Sequence, residues 1–123
     1  MAKTNKTIWR SDEKACQDIA TGSGAMSVTF DPEGSCKILQ INLHLDIASA
    51  TTENLVVSLD SANGSAYDIN ILTRGMDTVK DLILSKKDLD EYIMFGTDKL
   101  TFAWTNTNTR TWGLEIIYQR FSP

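Results

Sequence analysis

Histidine is almost missing from this 123-residue chain, and His44 is its only copy. A zinc site needs three or four Cys, His or carboxylate ligands at defined spacing, which Cys16, Cys36 and His44 do not supply. There is no Gly-x-Ser-x-Gly elbow to expose a nucleophile, so Ser–His–Asp catalysis has no footing. No second basic partner accompanies either cysteine, and Cys–His catalysis fails in the same way. Glycine-rich phosphate loops and dinucleotide fingerprints are absent as well. With only two prolines and seven glycines, the chain is neither collagen-like nor of low complexity. Excess positive charge is also missing. Twelve Lys and Arg stand against sixteen Asp and Glu, a net charge of −4, so neither nucleic acid nor an anionic membrane is expected as partner. No apolar run exceeds four residues, and neither a membrane-spanning helix nor a signal-peptide core is expected. Without such a signal, Cys16 and Cys36 are expected to be reduced structural thiols.

Branched and hydroxylic side chains are abundant. Ser, Thr and Asn make up about a quarter of the chain, and Thr suits a pleated surface because its Cβ is branched. Alternation of apolar and polar residues dominates from Met26 onward. Met26, Val28 and Phe30 alternate with Ser27 and Thr29 up to the turn Asp31-Pro32-Glu33-Gly34. Over 38–47, Leu39, Ile41, Leu43, Leu45 and Ile47 occupy one face, with Gln40, Asn42, His44 and Asp46 on the other. Leu55, Val57 and Leu59, an Asn63-Gly64 turn, and Tyr67, Ile69 and Ile71 read as an antiparallel hairpin. The segment from Met76 to Lys87 fits either a short strand around Leu82-Ile83-Leu84 or a single helical turn. Tyr92–Phe95 is a short apolar run. Leu100, Phe102 and Trp104, then Trp112, Leu114, Ile116 and Tyr118, give the last two strands.

About eight short strands, each with one apolar face, pack as two sheets. The expected fold is therefore all-β, a two-sheet antiparallel sandwich of jelly-roll-like topology with an irregular N-terminal arm. Residues 1–24 are read as arm and lead-in, and 25–123 as the sandwich domain. Phe102, Trp104, Trp112 and Tyr118 lie in register on apolar faces and are expected in the core rather than on a sugar platform. Asp60, Asn63 and Asp68 flank a turn superficially like a calcium loop. The closing glutamate is missing, and hydrogen bonds to their own backbone suffice to explain them. His44 reads as a solvated or interface histidine. No metal and no cofactor is expected.

The first fourteen residues show no period. Lys3, Lys6, Arg10 and Lys14 against Asp12 and Glu13 give them a net +2, leaving −6 on the other 109. Ile8 and Trp9 are large apolar groups in this polar stretch. Together with Arg10 they are the candidate partner-binding residues, with Trp9 as an anchor that orders on a neighbour.

Two stretches resemble a known family. Leu59-Asp60-Ser61-Ala62-Asn63-Gly64-Ser65-Ala66-Tyr67-Asp68 and Asn106-Thr107-Asn108-Thr109-Arg110-Thr111-Trp112-Gly113-Leu114-Glu115 are similar to segments of small jelly-roll virion proteins of tailed bacteriophages. The resemblance covers roughly residues 37–120 and carries no active-site motif. It implies a non-enzymatic capsid cement or decoration protein that is made in the host cytoplasm. Such a protein sits on the capsid exterior, self-associates as a homodimer or homotrimer, and binds the major capsid protein. A tail or head–tail virion component and a carbohydrate-binding β-sandwich are the alternatives.

Overall fold

A computed structural model describes residues 15–89 and 92–121. Among them are nine strands: β1 (Ala15–Gly22), β2 (Met26–Phe30), β3 (Cys36–Leu45), β4 (Asn54–Asp60), β5 (Ile69–Gly75), β6 (Asp81–Ser85), β7 (Ile93–Met94), β8 (Lys99–Trp104) and β9 (Trp112–Arg120). One sheet runs β1-β9-β3-β6, with β7 also paired to β3, and the other runs β2-β8-β4-β5. Every pairing is antiparallel. Setting the two-residue β7 aside, the first strand pairs with the last and the second with the last but one. The third pairs with the third from last, and the fourth with the fifth. That nesting is a long ribbon rolled upon itself, the jelly roll expected from the alternation.

The core lies between the sheets. Phe30, Ile41, Leu43, Leu45, Leu55, Val57, Leu100, Phe102, Trp104, Trp112, Leu114, Ile116 and Tyr118 are all buried there. The rings of Phe30 and Tyr118 meet edge to face, centroids 4.9 Å apart. Gly22 stands opposite Trp112 in the β1–β9 register. A Cβ on Gly22 would come within 2.7 Å of that indole, so the small residue makes room for the large one. The aromatic quartet of β8 and β9 is thus core, as its spacing predicts.

The strand expected over 38–47 differs in two ways. Its pairing to β9 slips between Ile38 and Gln40, leaving Leu39 as the extra residue of a β-bulge. Before the bulge Cys36 and Ile38 point inward, and after it Ile41, Leu43 and Leu45 do. The bulge buries two side chains in place of Leu39. Ile47 falls beyond the strand end and is exposed. The β4–β5 hairpin forms as expected, but Tyr67 lies in a single 3-10 turn (Ser65–Tyr67), and both it and Ile69 are exposed. Of the ambiguous segment, Asp81–Ser85 is a strand, with Leu82 and Leu84 buried and Ile83 turned outward.

A ninth strand comes from the lead-in. β1 shows no alternation because it is an edge strand, and only Cys16, Ala20 and Gly22 reach half-burial. Cys16 and Cys36 are not joined by a disulfide. They sit on β1 and β3, which flank β9, two strand spacings or ~10 Å apart. A disulfide requires Cα atoms within about 7 Å. Burial pushes the Cys36 thiol up to about 11, opposed by Arg120 and reinforced by Cys16, which keeps it protonated and inert at neutral pH.

Candidate interaction surfaces

Alternating strand direction divides the connections between two ends of the sandwich. Loops 23–25, 46–53, 76–80 and 105–111 lie at one end. At the other lie turns 31–35, 61–68 and 95–98, together with Ala15 and Phe121.

The first end is tied by polar side chains. Asn106 is buried and takes a left-handed backbone, φ 51°, which Asn tolerates better than most residues. Its amide donates to the carbonyls of Gly24 (2.8 Å) and Arg110 (2.9 Å), and its Oδ1 accepts the Arg110 N–H (2.9 Å). The Trp112 indole donates to the same Gly24 carbonyl at 3.0 Å. Glu53 reaches across from the 46–53 loop. Its Oε1 accepts the Thr107 N–H (3.0 Å) and the Thr51 hydroxyl (2.8 Å), and its Oε2 accepts the Thr107 hydroxyl. Those donors, Thr107 foremost, hold the Glu53 carboxyl below its ordinary value. Arg110 Nε donates to the Ala48 carbonyl at 3.0 Å, and Asp46 accepts the Thr111 N–H at 3.0 Å.

The second end is apolar and open. Phe95 is 65% exposed and Phe121 42%, and Ile93, Tyr67 and Ile69 are exposed with them. Two polar residues gather the segments that carry these side chains. The Ser35 carbonyl accepts the Phe121 N–H (3.1 Å), and its hydroxyl accepts the Gly96 N–H (3.0 Å). Asp98 is buried, with Oδ1 accepting the Ala62 N–H (2.8 Å) and Oδ2 the Phe95 N–H (3.0 Å). It draws the turn bearing Tyr67 toward the turn bearing Phe95. Ser35 thus brings the Phe95–Gly96 turn and Phe121 together, and Asp98 brings the turn of Tyr67 toward them.

The outer face of the β1-β9-β3-β6 sheet carries a polar ladder. Glu115 accepts from Asn42 Nδ2 (2.7 Å) and from the Gln17 amide, and Gln40 donates to Asn42 Oδ1 (2.8 Å). The Asn42 and Gln17 bonds hold Glu115 below its ordinary value. In the same cross-strand row, Ile19 and Ile83 stand at the two edges.

His44 lies on this face beside Asp81, its Nδ1 in contact with Asp81 Oδ1, and both side chains are exposed. Asp46, expected to share that face, instead bonds Thr111 at the tied end. Asp68 of the calcium-like turn spends Oδ1 on the Ser61 N–H (2.8 Å). No group of three or more metal-ligating side chains occurs among the described residues. Ile8, Trp9 and Arg10 lie outside the described residues. Ala15 pairs with Gln119 and so stands at the open, apolar end. That end is not visible in the sequence, where Tyr92–Phe95 is only a short apolar run. Only Met94 of that run is fully buried, and Phe95 is turned outward.

No family model and no curated protein matches the chain in sequence. Its fold is similar to solved structures at low identity. One is the core of Drosophila NLP, described for pentamer formation and histone binding: 13% identity, TM-score 0.49, covering 89% of this chain and all of that one. Another is the tomato aspermy virus structure, with 8% identity and a TM-score of 0.32, covering 95% of this chain and 82% of that one.

Proposed function

We propose that this chain is a non-enzymatic virion structural protein, a cement or decoration protein that self-associates and binds the major capsid protein on the capsid exterior. The observation that carries the reading is the apolar end, where Phe95, Phe121, Ile93, Tyr67 and Ile69 are presented on a rigid jelly roll. Such a patch has the chemistry of an interface centre, with aromatic anchors that lose water on contact. The resemblance of Leu59–Asp68 and Asn106–Glu115 to phage virion proteins supplies the class of partner. The first of these stretches carries Tyr67 at the apolar end, and the second forms part of the tied end. Ala15, the residue that follows segment 1–14 with its Ile8, Trp9 and Arg10, stands at that same end.

The test is co-sedimentation with phage heads assembled without this protein. A Phe95→Ser, Phe121→Ser double variant should lose at least tenfold in affinity for heads while keeping its melting temperature. Deleting residues 2–14 should weaken binding in the same way. Unchanged binding by both variants, or binding to tails but not heads, overturns the reading.

A further inference from the structure

Among the described residues β1 is the longest regular sheet edge, guarded only by Asp18. It pairs with β9 over eight residues with no register shift, and no strand lies on its other side among the described residues. The remaining edges are blunted. β5 carries a bulge at Ile71, and β2 and β6 are five residues long. An edge of this length and flatness presents a row of N–H and C=O groups to any strand that approaches it. Asp18 is its single charged side chain, and Oδ1 of Asp18 accepts the Ile19 N–H at 3.0 Å. A side-chain acceptor standing where a strand partner would stand shows that the Ile19 amide is turned to the edge. Ile19 itself is 71% exposed on the outer face.

We infer that β1 pairs antiparallel with β1 of a second copy, about a twofold axis at Ile19. Edge-directed backbone groups belong to alternate residues, here Gln17, Ile19 and Thr21, and an antiparallel pair must match these on both strands. A twofold axis through the sheet must therefore centre on a residue, and within β1 only 17, 18, 19 and 20 pair five or more residues. Centring on Asp18 sets two carboxylates face to face, which is destabilising. Centring on Gln17 or Ala20 leaves only residues 15–19 or 18–22 paired. Centring on Ile19 pairs residues 16–22 and sets Ile19 against Ile19 of the second copy. It also places Gln17 opposite Thr21 and Asp18 opposite Ala20, the carboxylates a diagonal apart. The self-complementary register is what selects a second copy as occupant. Asp18 then yields the Ile19 N–H to a backbone carbonyl, and the sheet continues through both molecules as β6-β3-β9-β1 and its mirror order. One strand per copy is a small interface, so the association is weak and concentration-dependent. The inference rests on the self-association proposed above and names the surface that forms it.

Sedimentation of the full chain, paired with amide hydrogen exchange, tests it. Oligomerisation should appear with rising concentration, together with protection of the Gln17, Ile19 and Thr21 amides. Ile19→Lys opposes two ammonium groups on the axis and should weaken association at least tenfold while the protein stays folded. Asp18→Ala removes the competing acceptor and two like charges and should tighten it severalfold. A chain that stays monomeric up to about 1 mM overturns both self-association and this surface. An oligomer indifferent to Ile19→Lys leaves self-association standing but overturns the β1 surface. Protection at β1 that does not change with concentration also overturns it, since the edge is then covered within one chain.

Discussion

The two ends of the jelly roll are built from the same kind of material, short turns rich in Asp, Asn, Ser and Thr, yet they spend it differently. At the tied end, Asn106, Glu53, Asp46 and Arg110 reach from one loop to another and leave one large apolar side chain, Ile47, in solvent. At the apolar end, Ser35 and Asp98 hold backbone amides so that Phe95 and Phe121 face outward. Polar ties close the first surface, whereas at the second they present one. An end meant only to cap the core has no use for exposed phenyl rings, because each costs solvation without improving packing. The polar ties of the first end hold its loops together, and the second end is where the proposed function places contact with a partner.

The largest break in that division comes from Asn106. Asn106→Ala removes three hydrogen bonds, one tying loop 105–111 to Gly24 of loop 23–25 and two closing the 106–110 turn on Arg110, and it leaves a residue without a compensating side chain at φ 51°. The cost should be about 3 kcal/mol, a fall of roughly 10 °C in Tm. Asn106→Gly accepts the same backbone without strain and should recover only part of the loss. Calorimetry of the two variants separates strain from hydrogen bonding. A change under 2 °C for Asn106→Ala would mean that the loops hold without it.

The apolar end should respond in the opposite sense. Phe121→Ser, read alone by thermal unfolding, should stay within about 0.5 kcal/mol of wild type, as surface substitutions do. It should also reduce binding of a hydrophobic dye to the native protein. A fall of many degrees would show Phe121 to be a packing residue, and the contrast between the ends would disappear.

How much of this was legible beforehand follows from what each residue answers to. β8 and β9 alternate strictly because both are central strands flanked on two sides, so their faces are fully determined. β3 carries two phases, Cys36 and Ile38 in one and Ile41, Leu43 and Leu45 in the other. Strict alternation starting at Leu39 saw only the second. β1 has no pattern to read, since an edge strand buries little and its partner, β9, lies at the other end of the chain. Asn106 looked like an ordinary polar turn residue because its bond to Gly24 spans 82 positions. The exposed phenyl rings stayed hidden for a related reason. Tyr92–Phe95 is apolar throughout, and only the pairing of β7 to β3 decides that Met94 turns inward.

The smallest expected effect is the pH dependence of the tied end. Glu53 is half-buried, and hydrogen bonds from Thr107 and then Thr51 lower its carboxyl from the ordinary value. A carboxyl depressed in the folded state contributes stability above its unfolded value, about 4.3. That stability is lost as pH falls through the lower folded value. Glu53→Gln keeps the shape but removes the charge that those donors favour. Wild type should therefore melt slightly above the variant at pH 6, and the gap should close as pH falls below about 4.3. Glu115→Gln supplies the control from the sheet face. Its carboxyl is lowered by Asn42 and Gln17, so it should show the same closing gap without touching the loops. Amide exchange at Thr107 tells the two apart. Only Glu53→Gln should speed it at pH 6, since the Thr107 N–H donates to Glu53 directly. Equal exchange at Thr107 in both variants would mean that loops 46–53 and 105–111 are held by the Arg110–Ala48 and Asp46–Thr111 bonds without Glu53.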